Sequence, residues 1–167
     1  MQAIGFLSRR EYSRQELRTK LLAALRRRAL VASPPGDAES ESRSESASPE
    51  APDVDPEQQV DALLEWLQAH GYLSDQRFVE SRVHARAARQ GVARIRQELA
   101  RHGLALEPQQ AAALRETEFA RALSVWQRKF GEVATDARGR AAQARFLAAR
   151  GFPAEVVRRI VGGEDEF

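Results

Sequence analysis

The sequence predicts an all-α chain of three tandem three-helix repeats, and three observations carry that prediction. Apolar residues recur three and four apart over most of the length, as in Leu17, Leu21 and Leu25, or Phe119, Leu123, Trp126 and Phe130. No run alternates β-branched and polar residues as a half-buried strand would. A helix-start unit also recurs. Ser13 stands before Leu17 and Leu21 at the same offsets as Gly91 before Ile95 and Leu99, and Gly139 precedes Leu147 by the same span. Each triplet is too small to bury a full core alone, so neighbours should stack into an elongated, curved array.

The first two helices of repeat 1 are expected within residues 1–31. Ile4, Phe6 and Leu7 supply contacts for a short helix ending near Tyr12. Ser13-Arg-Gln-Glu16 has capping-box spacing: the serine oxygen accepts from the Glu16 amide while the Glu16 carboxylate reaches back. Leu17, Leu21 and Leu25 share one face with Leu22 beside them, and Arg14 and Arg18 share another. Arg26, Arg27 and Arg28 are expected to close the helix, where cations favour its dipole.

Residues 32–55 are rich in Ser, Pro, Glu, Ala and Asp, with Val54 as their one large apolar residue. Nothing there offsets the entropy of ordering, so a disordered acidic insertion is predicted, splitting repeat 1 without dividing the chain into two domains. The third helix of repeat 1 falls in residues 56–73. Asp55 caps it, Pro56 takes the first helical position, and Gly71 ends it. Val60, Leu63, Leu64 and Leu67 form its stripe, which Trp66 widens.

Repeat 2 spans residues 74–116. Ser74-Asp75 opens a helix with Phe78, Val79, Val83 and Ala87 inward, Gly91 precedes the next, and Glu107-Pro108 opens a third carrying Ala111, Ala112 and Leu114. Repeat 3 spans 117–163. Thr117 opens its first helix, Asp136 its second, with Phe146 and Leu147 inward, and Phe152-Pro153 its last, with Val156, Val157, Ile160 and Val161. An acidic tail, 164–167, follows. Trp66, Trp126, Phe119 and Phe130 lie on apolar stripes and are read as core, not as platforms for stacked bases.

The net charge of +2 averages two unlike parts. Residues 32–57 hold eight acidic residues against Arg43, a net −7, which leaves +9 on the remainder. The foldable part is therefore basic, and a polyanion or an acidic protein surface is its natural partner. There is no cysteine and no apolar run near the ~18–20 residues that span a bilayer. Ser8-Arg9-Arg10 is followed by Arg14, Gln15, Glu16 and Arg18, not by the apolar segment of an export signal. A cytoplasmic protein without membrane contact is expected.

Catalytic constellations are missing from the sequence. His70, His84 and His102 are isolated, and there is no HExxH, no phosphate-binding glycine loop ending in Gly-Lys-Ser/Thr, no GxSxG and no acidic cluster with metal spacing. No enzyme is expected, and no cofactor or metal.

Ser8-Arg-Arg-Glu-Tyr-Ser-Arg-Gln-Glu-Leu-Arg-Thr-Lys-Leu21 resembles the N-terminal signature of the RecX family. Gly71-Tyr-Leu-Ser-Asp-Gln-Arg-Phe78, with Glu80-Ser81 following, resembles that family's central motif. Gly91 through Arg94-Ile-Arg-Gln-Glu-Leu99 to Gly103 is similar to the next part, and Arg145-Phe-Leu-Ala-Ala-Arg-Gly-Phe152 to the C-terminal one. The resemblance covers nearly the whole chain except the insertion. The insertion, and the lack of a glycine turn after Leu25, depart from the family pattern.

The resemblance implies a regulator of the RecA recombinase. It would lodge in the groove of the RecA filament on single-stranded DNA, inhibiting ATP hydrolysis, strand exchange and co-protease activity, and so modulate recombination, DNA repair and the SOS response. A monomer is expected, with room for weak direct binding to DNA. Arg82, Arg86 and Arg89 repeat at i, i+4 and i+7 with no carboxylate interleaved. They are the residues expected to face the filament, with Arg94 and Arg96, helped by Arg14 and Arg18. The alternative is a helix-turn-helix protein acting on nucleic acid directly. Against it, the arginines are spread over several helices and do not cluster on one recognition helix.

Overall fold

The computed structural model describes residues 2–32 and 55–162. Of the insertion predicted as disordered over 32–55, residues 33–54 fall outside these residues, as does the acidic tail, while Ala32 belongs to a helix and Asp55 caps one. Among the described residues every regular element is helical: α1 Gln2–Leu7, α2 Arg14–Ala32, α3 Pro56–Ala69, α4 Asp75–Ala87, α5 Val92–Ala100, α6 Pro108–Glu116, α7 Glu118–Lys129, α8 Ala137–Ala148 and α9 Ala154–Val161. They form two compact units, Met1–Ser74 with α1–α3 and Asp75–Phe167 with α4–α9.

In the first unit Tyr12, Leu17, Leu21, Val60, Leu64, Leu67 and Leu73 form one core. The Ser13 oxygen accepts from the Glu16 amide at 3.1 Å, as its spacing predicts, while the Glu16 carboxylate pairs with Arg10. Three local expectations change. α1 ends at Leu7, well short of Tyr12, where the Arg9 amide tightens to the Phe6 carbonyl, three residues back, and the Ser8 hydroxyl donates to the Gly5 carbonyl. α2 runs on to Ala32, so Arg26–Arg28 are not its closing turn. Ala29-Leu30-Val31-Ala32 contains no helix breaker to stop it. Trp66 is 48% exposed and Leu63 39% exposed, not core. Val60, Leu64 and Leu67 already occupy the inward stripe, and Trp66 lies about 200° around the helix from Leu64.

The second unit holds two cores. Phe78, Val79, Val92, Ile95, Leu99 and Leu114 form one. Ala122, Val125, Trp126, Leu147, Phe152, Val157, Ile160 and Val161 form the other, with Phe119 and Phe130 packed against it. Asp136 caps α8 by accepting from the Gly139 amide at 2.6 Å, so Gly139 lies inside its helix, unlike Ser13 and Gly91, which stand just before theirs. The third copy thus keeps the core spacing with its helix start moved upstream.

Three side chains or turns join the cores. Gly91 presents no side chain to cap α5, and the buried Glu118 carboxylate of α7 accepts from the Val92 amide at 2.7 Å instead. Arg121, one turn on, donates to the carbonyls of Ala87, Gln90 and Leu114 at 2.7, 2.7 and 2.6 Å, closing the ends of α4 and α6. The Gly91 amide donates to the Arg150 carbonyl at 2.9 Å.

Candidate partner-binding surface

The structure divides the predicted arginines into those held by carboxylates and those that are not. Arg82 and Arg86, a turn apart on α4, both meet Glu98 of α5. Arg86 donates through Nε at 3.0 Å, and Arg82 approaches to 3.7 Å with its guanidinium over the Phe78 ring. The stripe that reads as free of carboxylates along α4 is answered across the helix pair, because Glu98 sits where those two arginines converge.

Arg14 and Arg18 behave alike in the first unit. Arg18 donates to Asp61 at 2.7 and 3.0 Å and to Glu57 at 2.9 Å, a fork grip that a lysine could not copy. Hydrogen bonds from Arg18 hold the Asp61 carboxyl below the usual carboxylate range. Arg14 donates to Gln68 at 2.7 Å and lies 3.6 Å from Glu65. These two side chains clamp α2 to α3.

Arg89 and Arg94 have a different setting. Together with Arg86 and Gln90 they form one wall of a depression of about 640 Å³ in the second unit. The other wall comes from α7, α8 and the turn after α8: Val125, Arg128, Lys129, Phe146, Ala149 and Arg150. Among the described residues, six cations line it and no carboxylate does. Arg150 stacks 3.6 Å over the Phe146 ring, and the Lys129 ammonium stands 5.4 Å from the same ring. Arg128 donates to the Ser124 carbonyl at 3.2 Å and Arg94 to Gln97 at 2.8 Å. Arg89, Arg94, Arg128, Lys129 and Arg150 make no ion pair with a described carboxylate. Arg96 is exposed on α5 outside the depression.

A concave surface with uncompensated cations concentrates positive potential and suits an extended anion. Of the cations lining this depression, the sequence singles out Arg86, Arg89 and Arg94 but not Arg128, Lys129 and Arg150. The first two sit in the last turn of α7, and Arg150 just past α8, where cations ordinarily answer the helix dipole. Their local signal was that Arg128 and Lys129 adjoin Phe130 with no acid in the turn before them.

Comparison with known proteins yields two family matches: residues 74–112 match the second three-helix domain of RecX and residues 116–161 the third. Over 98% of this chain and 86% of their own length, proteins named "Regulatory protein RecX" from Ralstonia pickettii and Ralstonia nicotianae are 40% and 42% identical to it. One of the same name from Leptothrix cholodnii is 48% identical over 72% of this chain and 78% of its own.

Proposed function

The chain belongs to the RecX family, and on that premise we propose that it binds the RecA recombinase as a filament on single-stranded DNA and restrains it. Its relatives are named regulatory proteins, which supports a role in control and not in catalysis. Restraint of ATP hydrolysis, strand exchange and co-protease activity would regulate recombination, repair and the SOS response. The protein would act as a monomer in the cytoplasm with RecA. No helix among the described residues is long and apolar enough to cross a membrane.

The observation that carries this reading is the carboxylate-free depression with six cations, built from α4, α5, α7 and α8. A nucleoprotein filament presents phosphates and acidic side chains along a groove, and such a surface attracts them over a Debye length of about 8 Å. Arg86, Arg89, Arg94, Arg128, Lys129 and Arg150 form the proposed contact, with Arg82 and Arg96, outside its lining, as further contacts. Arg14 and Arg18 contribute through the face of the first unit that they hold together.

The test measures RecA ATPase and strand exchange on single-stranded DNA with the wild-type protein and the double variant Arg89→Glu/Lys129→Glu. Both residues are exposed and outside the ion pairs, so the variant should fold. Its half-inhibitory concentration should rise about tenfold or more, equivalent to 1.4 kcal/mol or more of lost binding. Unchanged inhibition by the folded variant would remove this surface from the proposal.

The same depression favours a second reading, direct binding to nucleic acid by a helical module. That binding would weaken by about 0.7–0.9 log units per log unit of salt for each phosphate contacted. Tight DNA binding with no effect on RecA would put this reading first.

A further inference from the structure

The first unit carries an apolar groove that the basic depression leaves unexplained. Ile4 of α1, Leu25 of α2, and Leu63 and Trp66 of α3 line it, exposed to 55%, 36%, 39% and 48%. Its volume is about 280 Å³. Large apolar side chains left in water and converging on one groove mark an interaction site more often than chance exposure does. On α3 the groove face runs from Gln59 to Leu67, a span of about 12 Å, or a little over two helical turns.

Charge says what should fill it. Glu57, Asp61 and Glu65 lie a turn apart on α3, outside the groove lining, and are taken up by Arg18 and Arg14. Arg28 lines the groove, and Arg9 and Arg27 line the depression next to it. None of these three pairs with a described carboxylate. The arginines toward α3 are thus neutralised, while those at the groove are left positive. No acidic residue among those described lines the groove.

We propose that this groove receives an acidic, amphipathic helical segment of a partner protein. Apolar side chains spaced at i, i+3 or i+4 and i+7 would seat along Ile4, Leu25, Leu63 and Trp66, with carboxylates beside Arg28, Arg27 and Arg9. A second copy of the chain fits less well, because a two-fold contact through this face would set the same arginines against each other. A stacked nucleobase fits less well too, since Trp66 already stacks on His70 at 4.1 Å and on Tyr72 at 5.8 Å. This surface is separate from the RecA reading and does not depend on it.

Trp66 is exposed and Trp126 buried, so tryptophan emission reports on the groove over a constant background. The probe is a synthetic peptide of roughly four helical turns, with leucines on one face and glutamates flanking them, titrated into the full-length protein. Emission should shift to the blue and saturate, and the Trp66→Phe variant should lose that response. A peptide with lysine in place of each glutamate, and the variants Leu63→Asp and Arg28→Glu, should each weaken binding about tenfold or more. Both substituted residues are exposed, and circular dichroism checks that the variants remain folded. Equal binding of the two peptides, or none of either, overturns the proposal. So does self-association by sedimentation that Leu63→Asp abolishes, which would assign the groove to a second copy. A single-stranded oligonucleotide that quenches Trp66 and displaces the peptide would likewise assign it to nucleic acid.

Discussion

The Gly91 amide donates to the Arg150 carbonyl at 2.9 Å, bringing the α4–α5 turn against the end of α8. A Cβ built on Gly91 would stand 2.1 Å from the Gly151 carbonyl oxygen and 2.7 Å from the Phe152 nitrogen. Backbone blocks that approach, and no side chain can swing aside. Gly151 is equally confined: its φ is +83°, and a Cβ there would meet the Arg94 backbone nitrogen at 2.5 Å. The two glycines let two turns touch.

Gly91→Ala should therefore destabilise the protein by about 2–4 kcal/mol, read as a lower urea midpoint. Gly5→Ala is the control. A Cβ at Gly5 meets no atom of the described residues within 4 Å, and alanine is the better helix former, so the midpoint should hold or rise. Equal effects at the two sites would refute the contact between the turns.

Glu118 substitutes for a missing cap. Glu118→Ala leaves the Val92 amide without an acceptor and should cost about 1–3 kcal/mol, whereas Glu118→Gln keeps an oxygen in place and should cost less. Arg121→Lys should recover only part of the loss seen in Arg121→Ala, because an ammonium cannot match a fork aimed at three carbonyls. Chemical denaturation of the four variants gives the ranking.

Arg86 and Arg89 should separate by experiment. Arg86→Glu puts a second carboxylate beside Glu98 and should lower stability by about 1 kcal/mol, with the swap Arg86→Glu/Glu98→Arg restoring part of it, since Arg82 remains beside position 98. Arg89→Glu should leave the melting temperature unchanged. If both variants unfold alike, Glu98 is not the cause.

The Arg18–Asp61 pair has a pH signature. Its folded-state carboxyl titrates below the unfolded one, so the stability it adds is present above the ordinary aspartate pKa of about 3.9 and is lost as pH falls through the folded value. Asp61→Asn should flatten this part of the acid limb in melts between about pH 5 and 2. Because the pair is solvent-accessible, added salt should shrink the difference. An acid limb identical in the two proteins would contradict the assignment.

Much of the fold was legible because its cause is local. Leu17 and Leu21, Ile95 and Leu99, and Val157 and Ile160 are all buried, and their spacing alone put each pair on one helical face. Ser13, Asp55 and Asp136 cap helices as their chemistry predicts, each accepting from an amide two or three residues on. Trp66 shows the limit of the same logic. Width of an apolar stripe does not say where the stripe ends, and three other residues had already filled the inward face.

The sequence by itself determined the helices, their main core faces, the basic character of the foldable part and membership of the RecX family, since each follows from residues close together in the chain or from their motifs. Only the tertiary structure decided which arginines are free. Arg18 is claimed by Asp61, 43 residues away, and Arg86 by Glu98, 12 away, while Arg128 and Arg150 arrive beside Arg89 from distant parts of the chain. A charge is neutralised by whatever packing brings within about 4 Å, and no local pattern of residues encodes that neighbour.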